Sequence, residues 1–282
     1  MFKFGNASLA LIIPKKWIDK NRLDQSKPLN IFENNVGDLV ISPREEQIKE
    51  REEIIAQSVS PAALARLVGL HYMFGTTKLR LYFKNGYGKS TANYITEKIK
   101  EECPGFEIVG HSANDIMIED FNKMREADIT KIISRLKLLV KQEFEEIRNG
   151  DLKSLEESER VINRFFMLGV RHVNALGTEE STKYFVVLQM LEMISDNLNI
   201  VYQPNMVRNM KILDMIEEQF DLCFSGFEGK RDSVEKSMAL REEIYNSATK
   251  LKLDRLKIHA LQEITNEISR ISEFGLYLNM HK

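Results

Sequence analysis

The sequence predicts a multi-domain α+β protein, in which a small β-rich N-terminal domain and a small α/β domain precede an all-α bundle of six helices. Three observations lead to this prediction. Short β-type runs fill residues 1–43, helix and strand patterns alternate over residues 61–119, and beyond these Gly and Pro are sparse while apolar residues recur every three or four positions. The length of 282 residues also favours more than one domain.

The N-terminal domain is predicted to contain short strands at Leu9 to Ile13, Leu29 to Glu33 and Asp38 to Ser42. Pro14 is expected to end the first strand because proline has no backbone N–H. A helical turn is expected near Trp17, the only tryptophan of the chain. The charged run from Arg44 to Glu53 is typical of a solvated helical linker.

The rest of the chain shows helical and strand patterns in a clear order. The α/β domain is predicted from the helix AALARLVGLHYMF, the strand KLRLYF, the helix STANYITEKIKEE and the strand FEIVG. Short breaks between the later amphipathic segments favour antiparallel neighbours and two three-helix halves. The bundle helices are predicted at Ile129 to Ile147, Leu152 to Leu176, Thr182 to Val201, Asn205 to Cys223, Glu228 to Thr249 and Leu253 to Leu278. The domain boundaries that follow are 1–46, 47–118 and 119–282.

Composition limits the classes of protein that the chain can belong to. No apolar run is long enough for a membrane span, and the short apolar run before Pro14 does not fit a secretory signal, so no membrane insertion is expected. Cys103 and Cys223 have no disulfide or zinc spacing, which fits a cytoplasmic location. The net charge is −2, so contact with nucleic acid must be local.

The segment SLALIIPKKWIDKNRLDQSKPLNIFENNVGDLVISP resembles the swapped-hairpin DNA-binding domain of the AbrB/SpoVT type. The resemblance implies that two chains interlace their hairpins, so it implies a homodimer or a larger assembly that binds double-stranded DNA. Up to Arg44 there are seven basic and four acidic residues, an excess that ordinary protein surfaces also show without the resemblance. The residues expected to bind DNA are Lys3, Lys15, Lys16, Lys20 and Arg22.

Most of the remaining chain resembles archaeal PhoU-like regulators. The segments that carry the resemblance are ARLVGLHYMFGTTKLRL, PGFEIVGHSANDIMIEDF, ESERVINRFFMLGVRHV and YFVVLQMLEMISDNLNIV. It implies a six-helix PhoU-like bundle and a role in phosphate uptake. The resemblance implies that this role is exerted either on transcription or through contact with a phosphate transporter or its sensor.

Acidic residues in the bundle form a candidate metal site. Glu192 and Asp196 lie four positions apart on one predicted helix face, and bundles of the PhoU family bind metal clusters through such an E-x-x-x-D pattern. The resemblance places Glu159 and Asn163 beside this pair, although the family tends to have Asp at the position of Asn163. Oxygen ligands point to a divalent or ferric ion, and the alternative is a solvated acidic face. A second, weaker pair is formed by Glu263 and Glu267.

No catalytic constellation is found in the sequence, so a non-enzyme is expected. The segment KNGYGKST ends like a phosphate-binding loop but has Phe83 where the motif needs Gly. Arg164 and Arg171 are interpreted as salt-bridge residues. The sequence therefore favours a DNA-binding regulator of phosphate uptake. The alternative is a metal-binding or protein-interaction bundle whose N-terminal domain only dimerises.

Overall fold

The computed structural model describes residues 2–4, 8–24, 29–33, 39–42, 52–56, 60–121, 128–176, 179–202, 210–250 and 255–280. The chain divides into two compact units, residues 1–51 and residues 52–282. The described part is mostly helical and includes a small mixed sheet in the second unit. None of its helices combines the length and apolar character that crossing a membrane requires.

The described part of the first unit contains two hairpins and one short helix. Its elements are β1 (Phe2–Phe4), β2 (Ser8–Ala10), α1 (Lys15–Lys20), β3 (Asn30–Glu33) and β4 (Leu39–Ser42). Strand β1 pairs antiparallel with β2, and β3 pairs antiparallel with β4. The predicted strands at residues 29–33 and 38–42 and the helical turn at Trp17 are confirmed. The strand predicted from Leu9 to Ile13 ends instead at Ala10, because Ala10 pairs with Phe2, where the partner strand begins.

An α/β layer opens the second unit. Its elements are β5 (Glu52–Ala56), α2 (Pro61–Met73), β6 (Lys78–Tyr82), α3 (Lys89–Glu102), β7 (Phe106–His111) and β8 (Asp115–Asp120). The strand order is β5-β6-β8-β7, with β5 parallel to β6 and the other pairs antiparallel. Alternate residues of β6 and β8, among them Leu81 and Ile116, are buried in one core with residues of α2 and α3.

Two strands of this layer differ from the sequence predictions. Glu52 and Glu53 belong to β5 and not to a helical linker, because the chain pairs here with β6, opposite Lys78 and Leu79. The rest of the predicted linker lies outside the described residues. Strand β8 was not predicted, although its buried Ile116 and Ile118 alternate with residues of the opposite face.

The bundle consists, in its described part, of six helices in two halves. The helices are α4 (Ile129–Asn149), α5 (Leu152–Leu176), α6 (Glu179–Val201), α7 (Met210–Phe227), α8 (Arg231–Ala248) and α9 (Arg255–Met280). Helices α4, α5 and α6 form the first half, and α7, α8 and α9 form the second. The halves join where α6 packs on α9 and α4 packs on α7. The predicted six helices and two halves are therefore confirmed.

The α/β layer packs directly on the bundle through α5. This helix contacts both α2 and α3, and its Met167 belongs to the core of the α/β layer. The side-chain amide of Asn174 donates to the carbonyl oxygen of Met73 over 2.9 Å. The predicted boundary between residues 118 and 119 thus falls inside the second compact unit.

Candidate functional site

Local interactions at both ends position the basic helix α1. The helix follows Pro14, whose carbonyl oxygen accepts from the backbone N–H groups of Trp17 and Ile18. Proline is tolerated at this point because the first N–H groups of a helix have no partner within the helix. At the other end, the side-chain amide of Asn21 donates to the carbonyl oxygen of Trp17 over 2.8 Å. The sequence therefore fixes both ends of a helix that is only six residues long.

The residues predicted to bind DNA lie on and beside α1. The side chains of Lys15, Lys16 and Lys20 are exposed, and the two apolar residues of the helix are half-buried. Arg22 is exposed as well and has a φ of 52°, in the left-handed region. The side chain of Lys3 lies outside the part of the chain that the structure describes. Four of the five predicted residues thus lie exposed on or directly after α1.

Four large apolar side chains are exposed in the described part of the first unit. Among the side chains described in residues 11–41, none is buried. Large apolar residues are normally the ones that a folded domain removes from water. None of the side chains that the structure describes in this range therefore belongs to a buried core. The exposed apolar residues are Leu11 (58% exposed), Ile12 (69%), Ile31 (57%) and Leu39 (66%).

The structure brings three of the predicted metal-site residues close to one another. Glu192 and Asp196 of α6 and Glu159 of α5 form what we call the acidic triad. Burial raises the pKa of all three carboxyls. The neighbouring carboxyls raise the pKa values of Glu159 and Glu192 further, and that of Glu192 reaches about 7. Asn163, one turn along α5 from Glu159, is half-buried.

The second predicted acidic pair lies on α9. Glu267 is buried and forms an ion pair with Arg270 on the same helix. Burial raises the pKa of Glu267, whereas Arg270 lowers it. Glu263 is half-buried and adds a smaller upward contribution to the pKa of Glu267. The buried carboxylate of this pair already has a cationic partner.

The described residues contain no group of three or more His, Cys, Asp or Glu side chains that could hold a metal ion. Asp196 and Glu159 are near enough to raise the pKa of Glu192, but the three carboxyls do not form a group that could hold a metal ion. The metal site stays a prediction from the family resemblance.

A further buried polar group lies beside the triad and was not predicted. Glu143 of α4 is 0% exposed and accepts a hydrogen bond from Ser195 of α6 over 2.7 Å. One turn further on, Glu146 accepts a hydrogen bond from Ser158 of α5 over 2.9 Å. The signal in the sequence was the position of Glu143, which lies four and seven residues after the apolar Leu139 and Leu136. We call these residues, together with Asn199, the Glu143 centre.

Comparisons with protein family models, with curated proteins and with solved structures found no match to this chain.

Proposed function

We propose that this protein is a dimeric, DNA-binding transcriptional regulator of phosphate uptake. In this proposal the first unit is an AbrB/SpoVT-type swapped-hairpin domain that contacts double-stranded DNA. The helical bundle is PhoU-like and receives the regulatory signal. The observation that carries the proposal is the exposed basic helix α1 on a unit that has no buried side chain among those described.

The exposed apolar residues support dimerisation through the first unit. Leu11, Ile12, Ile31 and Leu39 are each more than half exposed, and burying apolar surface stabilises a fold by about 25 cal/mol per Å². A second copy of this unit, with its hairpins interlaced, would cover such residues. A small domain without its own core commonly depends on oligomerisation.

The basic helix supports contact with the DNA backbone. Lys15, Lys16 and Lys20 project from one short helix, and no ion pair with another described residue engages them. Lysine side chains in water are suited to phosphate contacts, which supply most of the sequence-independent affinity for DNA. A dimer doubles the number of these lysines on the assembly. Because the overall charge of the chain is −2, we expect DNA binding at this local basic surface and not over the whole protein.

The bundle supports the regulatory part of the proposal. Its arrangement in two three-helix halves agrees with the PhoU-like resemblance of the sequence. We infer that the bundle contacts a phosphate transporter or its sensor, or transmits its own state to the DNA-binding domain. Both roles place the protein in the cytoplasm.

Replacing Lys15 and Lys16 with Ala tests the DNA-binding surface. We expect weaker binding of mixed-sequence duplex DNA, because fewer phosphates are neutralised and fewer counterions are released. The slope of log affinity against log salt concentration should fall in magnitude by about one for each phosphate that the variant no longer neutralises. Fluorescence anisotropy with labelled duplex over a salt series measures both quantities. A matched control replaces the exposed bundle residues Lys153 and Lys236 with Ala, which removes the same charge.

The control should bind DNA with the slope of the wild type. An unchanged slope in the Lys15 and Lys16 variant would refute the assignment of this surface. Equal weakening in both variants would show that only net charge matters. Absence of binding by the wild type favours the alternative, in which the bundle is the working part and the first unit only dimerises.

A further inference from the structure

Glu143 is a buried carboxyl group inside the first half of the bundle. Its side chain is 0% exposed and lies on the apolar face of α4. Its Oε1 accepts hydrogen bonds from Ser195 Oγ over 2.7 Å and from Asn199 Nδ2 over 3.4 Å. Its Oε2 is buried without a hydrogen-bond partner among the described residues. Because burying a charge without full hydrogen bonding is strongly unfavourable, this geometry favours the neutral acid.

The groups that face Glu143 add negative charge. On α4, Glu146 is 8% exposed, and its Oε2 also lacks a partner among the described residues. From α5, Glu159 acts electrostatically on Glu143. From α6, the facing groups are the uncharged Ser195 and Asn199. Asp196 on that helix raises the pKa values of Glu159 and Glu192. An ionised Glu143 would therefore meet like charges.

The nearest cations of α4 are engaged elsewhere. Lys141 pairs with Asp221 of α7 over 2.7 Å, and Arg148 pairs with Asp214 of α7 over 3.0 Å. Arg148 also pairs with Glu145 and Glu217. Within the described residues, both of these cations are thus paired with carboxylates of α7 and not with Glu143.

The second half of the bundle carries an amide where the first half carries Glu143. Gln219 lies on α7, the first helix of its half, and is 0% exposed. It directly precedes Phe220, as Glu143 precedes Phe144, and the two rings meet edge to face with their centroids 5.8 Å apart. The two polar residues therefore occupy corresponding places on either side of the contact between the halves.

Buried serines also occupy corresponding positions in the two halves. Gln219 Nε2 lies 3.1 Å from Ser269 Oγ on α9, the third helix of its half, as Glu143 is bonded to Ser195 on the third helix of the first half. Buried Ser158 and Ser237 each occupy the seventh position of the second helix of their half. One arrangement thus occurs twice, with a titratable group in only one copy.

We propose that the first half of the bundle is a proton-responsive element. Glu143 holds a proton in the folded protein, and its loss as the pH rises loosens the packing of α4 against α6. At the corresponding place in the second half, Gln219 has no proton to lose, so among the described residues only the buried Glu267 of α9 contributes there.

The expected pH range follows from the environment of Glu143. Burial, with a smaller contribution from Glu146 and Glu159, raises its pKa from 4.5 to about 8, although the hydrogen bond from Ser195 lowers it. Between these values the folded state holds a proton that the unfolded state has lost. Stability is therefore greatest below pH 4.5, falls as the pH rises, and levels off above about 8. Glu192, with a pKa of about 7, acts in the same direction.

One buried group acts in the opposite direction. Burial lowers the pKa of His172 from 6.5, so its contribution to stability is lost as the pH falls and grows as the pH rises towards that value. Comparing variants that differ only at residue 143 removes this contribution and that of Glu192 from the result.

Hydrogen exchange of the full chain between pH 6 and pH 7.5, read by mass spectrometry and corrected for intrinsic exchange rates, tests the proposal. In the wild type, protection of peptides from α4 and α6 should fall with rising pH. Glu143→Gln keeps the shape of the side chain but cannot release a proton. In this variant the fall in protection should be smaller by a factor of about ten per pH unit, which is the change expected when opening releases one proton fewer. The exposed Glu157→Gln serves as a matched control and should behave as the wild type.

The reverse variant makes the test independent of how Glu143→Gln folds. Gln219→Glu should make the loss of protection of α7 and α9 with rising pH larger than in the wild type, where of the described residues only the buried Glu267 of α9 contributes. The proposal is overturned if Glu143→Gln retains the full wild-type response, if the wild type shows no response in α4 and α6, or if Gln219→Glu leaves the response of the second half at the wild-type level.

Discussion

Replacing Arg171 with Ala is expected to destabilise the second unit by about 3–5 kcal/mol, the usual effect of breaking a buried ion pair by removing one partner. Arg171 of α5 pairs with Asp120 of β8, and the two side chains are 15% and 6% exposed. Its guanidinium also donates to the carbonyl oxygens of Tyr72 and Thr76. The Arg171 guanidinium carbon lies 4.7 Å from the centre of the Tyr72 ring. The Ala variant removes all of these interactions at the contact between the α/β layer and the bundle.

Equilibrium urea unfolding of the full chain, followed by circular dichroism, measures this effect. Arg164→Ala is the matched control, because Arg164 lies two turns earlier on the same helix and is exposed; it should change stability by less than about 0.5 kcal/mol. Arg171→Lys should fall between the two, since lysine keeps the charge but not the planar set of donors. An Arg171→Ala variant as stable as the control would contradict this role.

Replacing Gly275 with Ala is expected to destabilise the second half of the bundle by about 3 kcal/mol, at the upper end of the usual effect of overpacking. A Cβ atom at Gly275 of α9 would lie 2.1 Å from the Cα atom and 2.8 Å from the carbonyl oxygen of Phe227, at the end of α7. These are backbone atoms, so no side-chain rotation relieves the contact and the two helices must move apart.

The prediction for Gly275 is tested by comparing the melting temperatures of the wild type, Gly275→Ala and the control variant Gly110→Ala. Among the described residues, no atom lies within 4 Å of a Cβ added at Gly110, so this control should melt close to the wild type. If Gly275→Ala also melts at the wild-type temperature, α7 and α9 do not approach as closely as the structure has them.

Periodicity predicted the helices, whereas the unpredicted strands depend on distant partners. The helical residues Ile129, Ile132, Ile133 and Leu136 repeat every three or four positions, a signal contained within one helix. Strand β5 instead forms against β6, some 26 residues away, with Glu52 opposite Lys78. Its charged residues hide the strand pattern, because strand formation depends on neighbours more than on intrinsic preference.

In the candidate sites too, neighbours on one helix could be predicted from the sequence, whereas contacts between distant residues could not. The spacing of Glu192 and Asp196 predicts that they share a helix face, and in the structure Asp196 and Glu159 raise the pKa of Glu192. The apolar face of α4 indicates the buried position of Glu143, but its hydrogen bond could not be predicted in this way, because the donor Ser195 lies 52 residues further along the chain. The interpretation of Arg171 as a salt-bridge residue is confirmed by its pairing with Asp120.

The affinity of the full wild-type chain for mixed-sequence duplex DNA, measured over a series of salt concentrations, tests the proposed function most directly. A dimer that presents Lys15, Lys16 and Lys20 from both copies should bind at about 50 mM salt. Its log affinity should then fall linearly as log salt rises, with a slope of about −0.9 for each phosphate contacted. No binding at low salt, or an affinity that does not change with salt, would contradict DNA recognition by the basic helix.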